Sequence, residues 1–428
     1  MNYFTSSENA DSFRGEPVLL DVIPVLTTTL DMSLEEVCLR GLNWIICKCS
    51  DRIYAFEPTT HTLVEASDSS SLMSELKQVS PLPVYIDDPY LQGAVSSIEY
   101  FATSACNLSC SYCYLGPLPD KLTPRERDIG PARRTLENLF DDLRVGPRLS
   151  LLFIGGEPLI AFDVIKELTE CVTALCIQHS VELEVKITSN GTVMNERIAD
   201  WIATHNVSFT VSTDGRFQTY NRPLKQLGES NPLQKLGRFL DLRKVQVRCT
   251  LRPEQFLKQK DVFGDLLSYT PHAIYIEPVR ALPVTSADLH NYVQGLSELY
   301  ELCQRLGVWE GQLDAAFAAV QRGQVSRSHC GAGASHLVLR SDGSISGCAN
   351  LSTPEQRSKL QPYHYDVDAD STCGRCGIRY VCQAIGGACR AWRIMKDHPE
   401  PDLMDCCCSA ARIFLAFKRL SRTECRAL

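Results

Sequence analysis

Several signals are missing from this chain of 428 residues, and each absence narrows its role. No apolar run approaches the ~20 residues that a bilayer-spanning helix needs. The amino terminus, MNYFTSSENADSFRGE, has no basic n-region, and the apolar run from Val18 to Leu26 is broken by Asp21 and Pro24. A secretory signal is therefore not expected, and a cytoplasmic protein without membrane contact is. Basic charge is not in excess. Lys and Arg number 43 against 51 Asp and Glu, a formal net charge of −8 with a pI near 5.7. That argues against a nucleic-acid binder working through a broad basic field. No low-complexity segment and no fixed-period repeat is present. With 44% hydrophobic and 22% charged residues, a core of normal size is available, and the length fits roughly two or three domains.

Cysteine, by contrast, is abundant, with 20 residues. A reduced compartment makes metal or redox chemistry a better explanation than disulfides. The cysteines are also unevenly placed. Three lie between 106 and 113 and nine between 330 and 408. Two metal-bearing regions are implied, separated by a body poor in ligands. Cys171, Cys176 and Cys303 fall in helical patterns and are expected in the core.

The rest of the pattern suggests three modules. Residues 1–95 form the first. Ser33 to Leu39 is expected to be a short helix, with Ser33 as N-cap and Glu36 at the capping-box position. Trp44 to Cys49, Ile53 to Phe56 and Thr62 to Glu65 read as strands, and Ser71 to Gln78 as a helix. Pro81, Pro83 and Pro89 mark a linker. In residues 96–322, extended apolar runs alternate with helical ones. The runs Ser97–Thr103, Leu149–Ile154, Leu183–Thr188, Ser208–Ser212, Val245–Leu251 and Ala273–Pro278 read as strands, with helices at Arg134–Leu143 and Val164–Gln178. This predicts an α/β fold, a parallel sheet with crossover helices that closes fully or partly into a barrel. Residues 323–428 hold the second cysteine group.

The first group reads Cys106-Asn-Leu-Ser-Cys110-Ser-Tyr-Cys113-Tyr114 and follows directly on a predicted strand. Active sites gather at that end of parallel strands. A [4Fe–4S] cluster needs one outside ligand per iron, so three cysteines leave one iron open, the mark of a catalytic site. Chance at this composition gives about 0.04 matches to the spacing. Zinc would want a fourth local ligand, and the nearest histidines are His61 and His179.

With Asn107, Leu108 and Tyr112, this loop resembles the signature of the radical S-adenosylmethionine (SAM) superfamily. The resemblance implies that the open iron chelates the amino and carboxylate groups of the SAM methionine. Reductive cleavage then yields a 5′-deoxyadenosyl radical that abstracts a substrate hydrogen. It places Tyr112 near the adenine. Gly155-Gly156-Glu157-Pro158 resembles the family's GGEP, in which the small residues admit a close ligand and Glu157 accepts from the methionine ammonium. Thr188-Ser189-Asn190-Gly191 ends the following strand and adds Ser189 and Asn190 to the implied SAM contacts. Ser212-Thr213-Asp214-Gly215 resembles the S-x-D-G segment, which implies that Ser212 and Arg222 contact the ribose and carboxylate of SAM. The implied architecture is a partial (β/α)6 barrel.

In the second group, Cys330 and Cys348 flank a predicted hairpin over Ser341-Asp342-Gly343. Cys373, Cys376 and Cys382 form a C-x2-C-x5-C run. Cys389 follows, and Cys406, Cys407 and Cys408 lie on a predicted helix. The region resembles the SPASM domain, which carries two auxiliary [4Fe–4S] clusters, three clusters in all. The resemblance implies that Cys330, Cys348 and Cys389 hold the first. Cys373, Cys376, Cys382 and Cys406 (or Cys407 or Cys408) hold the second. Six residues separate Cys382 from Cys389, where the family usually has three. His336 stands where some members have a fourth cysteine. It ligates iron, leaves an open site, or is a structural histidine. A pair of zinc sites is the rival reading of this region.

SPASM proteins mostly modify polypeptides. The implied function is a peptide maturase acting on a ribosomally made precursor, with a flavodoxin or ferredoxin-type electron donor. Sulfatase maturation ranks second, because those enzymes carry an aspartate base after the cysteine equivalent to Cys348 and this chain has Ala349. A non-enzymatic electron carrier or redox sensor is the third reading, although it would not need the GGEP or S-x-D-G segments. The amino-terminal module either pairs with a leader peptide by strand addition or caps the barrel. Arg248 and Glu277 are candidates to face the cavity, and no catalytic base is named.

Overall fold

The computed structural model describes Leu26, most of residues 33–77, nearly all of 94–322 and, with gaps, 324–359 and 373–424. The proline-rich linker lies outside the described residues. Strands β1 (Ser33–Leu39), β2 (Leu42–Cys49), β3 (Arg52–Glu57) and β4 (Thr62–Ala66) form an antiparallel meander. The helix expected at Ser33–Leu39 is thus a strand. Its seven residues pair with β2 from Ser33↔Lys48 to Leu39↔Leu42. Two residues separate the strands, the length of a tight hairpin. A lone two-turn helix would leave most of its backbone groups unpaired, whereas the ladder pairs them.

The helix Ser69–Leu76 follows. It starts earlier than the apolar spacing suggests because Asp68 caps it, accepting from the Ser70 and Ser71 N–H groups at 2.9 Å. Leu72 and Leu76 then close a small core with Trp44, Ile46, Ala55 and Val64.

Six parallel strands build the main sheet: β5 (Val95–Thr103), β6 (Val145–Gly155), β7 (Glu182–Ser189), β8 (Ser208–Ser212), β9 (Val245–Leu251) and β10 (Ala273–Pro278). They lie side by side in chain order, with parallel pairings such as Ser97↔Ser150 and Arg248↔Tyr275. Helices including Gly130–Asp141, Phe162–His179, Glu196–Thr204 and Gln259–Leu267 connect them, so the alternation expected from sequence is present. Period-2 patterning sends Ile98, Tyr100, Leu151, Phe153, Ile187, Val211, Val247 and Ile276 into the main core. The alternate residues lie on the other, only partly buried face.

The sheet continues past β5 with β11 (His336–Arg340), parallel to it, and β12 (Ile345–Ser346), which pairs back on β11. Gly343 turns this hairpin at φ 80°. The second cysteine region is therefore stitched into the barrel sheet, not merely appended to it. Among the described residues β10 and β12 are the sheet's edges, and the barrel they outline is partial. The helix Leu403–Glu424 buries Cys407, Ile413, Phe414 and Phe417 against the helices Ser286–Leu306 and Gly311–Gln321 and lies against β2. Among the described residues, no helix is long and apolar enough to cross a membrane.

Candidate active site at the strand ends

The Cys106–Cys113 loop leaves the carboxyl end of β5 and is fastened on several sides. Glu126 closes the strand end, accepting from the Ser104 N–H at 2.6 Å and the Ser104 hydroxyl at 2.8 Å. The Asn107 amide donates to Thr192 at 2.8 Å and accepts from Asn190 at 3.0 Å, which ties the loop to the end of β7. The Ser109 N–H donates to the Pro223 carbonyl and the Ser111 N–H to the Asn221 carbonyl, both at 2.9 Å. The three thiols are neighbours. Burial raises the Cys110 thiol to about 11, with Arg222 pulling the other way and Cys106 and Cys113 adding to the rise. Burial likewise raises Cys106, with Glu157 and Cys113 among its neighbours.

Gly155 and Gly156 let β6 pass closely beside the end of β5. A Cβ on Gly155 would meet the Thr103 carbonyl oxygen at 2.4 Å, and one on Gly156 would meet the Ala105 oxygen at 2.3 Å. Glu157 is fully buried. Its carboxylate accepts from the Leu159 N–H at 3.0 Å, the Ser189 hydroxyl at 2.7 Å and the Asn190 N–H at 2.7 Å. That occupies three of its roughly four acceptor positions. Burial pushes it up to about 7 despite those donors. Glu157, Ser189 and Asn190, three of the residues expected to contact SAM, are thus joined in one network at the ends of β6 and β7.

Asp214 is a second hub, also fully buried. It accepts from Arg222 Nε at 3.1 Å, the Thr250 N–H at 3.0 Å, Asn221 Nδ2 at 3.0 Å and the Tyr112 hydroxyl. Arg222 also lies over the Tyr112 ring at 5.3 Å. Ser212 pairs with Arg248 in the β8–β9 register. Sequence reasoning read Asp214 only as part of a motif and did not single out Asn221, which bridges Asp214 and Gln255. Their weight comes from partners distant in sequence.

The second cysteine group separates into two sets. Cys330, Cys348 and Cys389 influence one another. Burial raises Cys348 to about 12, and Cys389 is the largest charge acting on it and on Cys330, which is exposed at the surface. Cys406 is raised well up by burial and by Cys382, Cys376 and Cys373. Cys407 is buried in the core, and burial raises Cys408 to about 11 beside Arg412 and Tyr292. One helix thus points its three cysteines in three directions. His336 is held by β5, its Nδ1 at 3.1 Å from the Ser97 hydroxyl and its Nε2 at 3.6 Å from Glu99. Ala349 is buried and gives the site no carboxylate. Arg248 and Glu277 do meet on the partly exposed face, at 3.5 Å, and Glu277 accepts from Gln312 at 3.0 Å. Cys176 and Cys303 are buried and Cys171 half-buried in their helices.

Among the described residues, no group of three or more His, Cys, Asp or Glu converges as ligands on a single metal ion. Thiolates of a [4Fe–4S] cluster bind different irons, so they surround a volume instead of meeting at a point. The raised thiols fit such a group, because metal cations supply the positive charge that makes buried thiolates stable.

The Radical SAM superfamily profile matches residues 100–253. A serine-type anaerobic sulfatase-maturating enzyme of Klebsiella aerogenes is 23% identical over 323 residues, which covers 67% of this chain and 77% of that protein. An uncharacterized protein of Methanocaldococcus jannaschii is 29% identical over 115 residues, 26% of this chain and 36% of that protein. Among solved structures, native anSMEcpe with bound AdoMet superposes with a TM-score of 0.58 at 17% identity, covering 78% of this chain and 100% of that one. The same protein with AdoMet and a peptide, Cp18Cys, gives 0.57 at 17% identity, over 77% of this chain and 99% of that one. With the strand-end motifs in place, residues 100–253 carry a radical SAM domain, and the chain as a whole, with its second cysteine region built into the same sheet, is similar to enzymes of that superfamily's SPASM-domain branch, which use SAM and a [4Fe–4S] cluster.

Proposed function

We propose that this chain is a cytoplasmic peptide maturase that takes a hydrogen atom from a residue of a ribosomally made precursor and installs a crosslink or related modification. The carrying observation is the joining of two features in one sheet. The strand ends hold the SAM-type motifs, and β11, beside β5, belongs to the hairpin that Cys330 and Cys348 flank. Cys106, Cys110 and Cys113 would hold the SAM-binding cluster. The other two thiol sets would hold auxiliary clusters. Bound there, SAM and its cluster supply a carbon radical able to abstract hydrogen.

The remaining work belongs to the chain. The Glu157 network holds the ends of β6 and β7 in register. Asp214 fixes Tyr112 and Arg222, so that the ring and the guanidinium meet SAM already oriented. The partly buried sheet face offers polar groups to a peptide, including Ser97, Glu99, Lys186, Thr210, Arg248 and Glu277. The edge strand β1 offers a leader peptide a place to add a strand. The competing role of the amino-terminal module, a cap, draws support from Tyr54, which joins the main core. A flavodoxin or ferredoxin-type protein would supply the electron.

The resemblance to a sulfatase-maturating enzyme supports the second reading, protein oxidation, and Ala349 weighs against it. The test is anaerobic reconstitution with reductant, SAM and candidate substrates. A short peptide encoded beside this gene should yield 5′-deoxyadenosine together with a product lighter by whole pairs of hydrogens. Oxidation of a sulfatase serine or cysteine, with the peptide untouched, would reverse the ranking. No 5′-deoxyadenosine from a fully loaded, reduced protein would leave the electron-carrier reading.

A further inference from the structure

Arg280 follows the end of β10 by two residues, where the barrel meets the carboxy-terminal region. Its Nε lies 3.2 Å from Asp405 Oδ1 in an ion pair, and the two side chains are 19% and 3% exposed. The other Asp405 oxygen accepts the Cys389 N–H at 3.3 Å. Asp405 therefore pairs with a partly buried arginine through one oxygen and holds the backbone of a candidate cluster ligand with the other. It also directly precedes Cys406, whose thiol lies near enough to the other cysteine set to feel its charge. Charge from Arg280 reaches the Cys389 thiol, and Glu277 on the partly exposed sheet face reaches Arg280.

We infer that the Arg280–Asp405 ion pair tunes the reduction potential of the auxiliary centre held by Cys389. The inference rests on the auxiliary-cluster reading proposed above. Reducing an iron–sulfur cluster adds negative charge. A nearby cation stabilises the reduced form and raises the potential, while a carboxylate lowers it. Arg280 and Asp405 are themselves largely buried, so their charges are weakly screened, and charge and hydrogen bonding around the ligands are established determinants of cluster potential. The pair places both signs beside Cys389, so each is offset by the other. Removing one leaves its partner uncompensated.

The two halves must therefore act with opposite sign. The test uses the full-length, iron-loaded protein in an anaerobic redox titration followed by electron paramagnetic resonance. The signal to follow is the one that Cys389→Ala removes. Arg280→Gln should lower its midpoint and Asp405→Asn should raise it, while Arg280→Lys should keep the wild-type value. Asp405→Asn retains an oxygen for the Cys389 N–H, so its effect reports charge. Should that variant not accumulate, the contrast between Arg280→Gln and Arg280→Lys decides alone. An unchanged midpoint in Arg280→Gln, or shifts of the same sign in the two variants, overturns the inference. Loss of iron from both variants makes the pair a clamp and overturns it as well, with the Cys389 assignment intact. Wild-type protein holding only about four irons per chain, one cluster's worth, would instead remove the auxiliary-cluster reading itself.

Discussion

Arg222 donates to Asp214 across 3.1 Å, and neither side chain is more than 11% exposed. The same carboxylate accepts from Tyr112, Asn221 and the Thr250 backbone. One buried anion thus ties the cysteine loop, the end of β8 and the end of β9 into a single unit.

Removing that anion should be costly. Asp214→Ala leaves Arg222 buried without its partner, which by analogy with broken buried pairs costs about 3–5 kcal/mol. Urea denaturation of the iron-free protein measures it. A cost below about 1 kcal/mol, the scale of a surface pair, would show that solvent compensates Arg222.

The glycines at the end of β6 should be intolerant for a steric reason. Gly156→Ala drives a methyl into the Ala105 carbonyl at 2.3 Å, and a loss above about 2 kcal/mol is expected from such overpacking. Gly264→Ala is the control. That glycine lies within the helix Gln259–Leu267 with nothing near its absent Cβ, so its replacement should stabilise by up to about 1 kcal/mol. Thermal melts of the two variants should move in opposite directions.

Glu157 should leave a mark on the pH dependence of stability. Its folded value, about 7, stands above the ordinary 4.5 because of burial. Between those values the folded state holds the proton more tightly than the unfolded chain does. This carboxyl's contribution therefore falls as pH rises from about 4.5 to about 7 and is level beyond. Subtracting the stability profile of Glu157→Gln from that of the wild type should isolate this downward slope. A flat difference over pH 5 to 7 would contradict it.

The three adjacent cysteines should differ sharply in iron counting. Cys406→Ser should remove one cluster, about four irons per chain, because its thiol is near enough to Cys382, Cys376 and Cys373 for their charges to act on it. Cys407→Ser should keep the wild-type iron content and instead lose stability, since it places a hydroxyl in a fully buried apolar position. Iron retained in Cys406→Ser would move the ligand to a neighbour.

What could be read directly from the residues was local. Cys106, Cys110 and Cys113 occupy one short loop, so their spacing alone brings them together. The six parallel strands announce themselves through short apolar runs and period-2 alternation, and the Asp-Gly turn marks the β11–β12 hairpin. The misreading of Ser33–Leu39 has the same local origin. Its capping-box spacing is real, but a hairpin partner competes for the same backbone groups, and a local pattern does not register that competition.

Other features depended on residues far apart in the chain. Arg280 and Asp405 are 125 positions apart, and Tyr112 and Asp214 are 102. His336 can be a ligand or a structural residue on sequence grounds, and its placement beside Ser97 and Glu99 follows only from the parallel pairing of β11 with β5. The three cysteines at 406–408 are equivalent by composition. Helical geometry and the packing of one helix against the barrel make one face the thiol set, one fill the core and one sit beside Tyr292 and Arg412. The sequence by itself determined which chemistry the chain carries, because ligand spacing in a single loop is a local property. The tertiary structure decided which charges and thiols stand next to that chemistry, because burial and long-range pairing are properties of the whole fold.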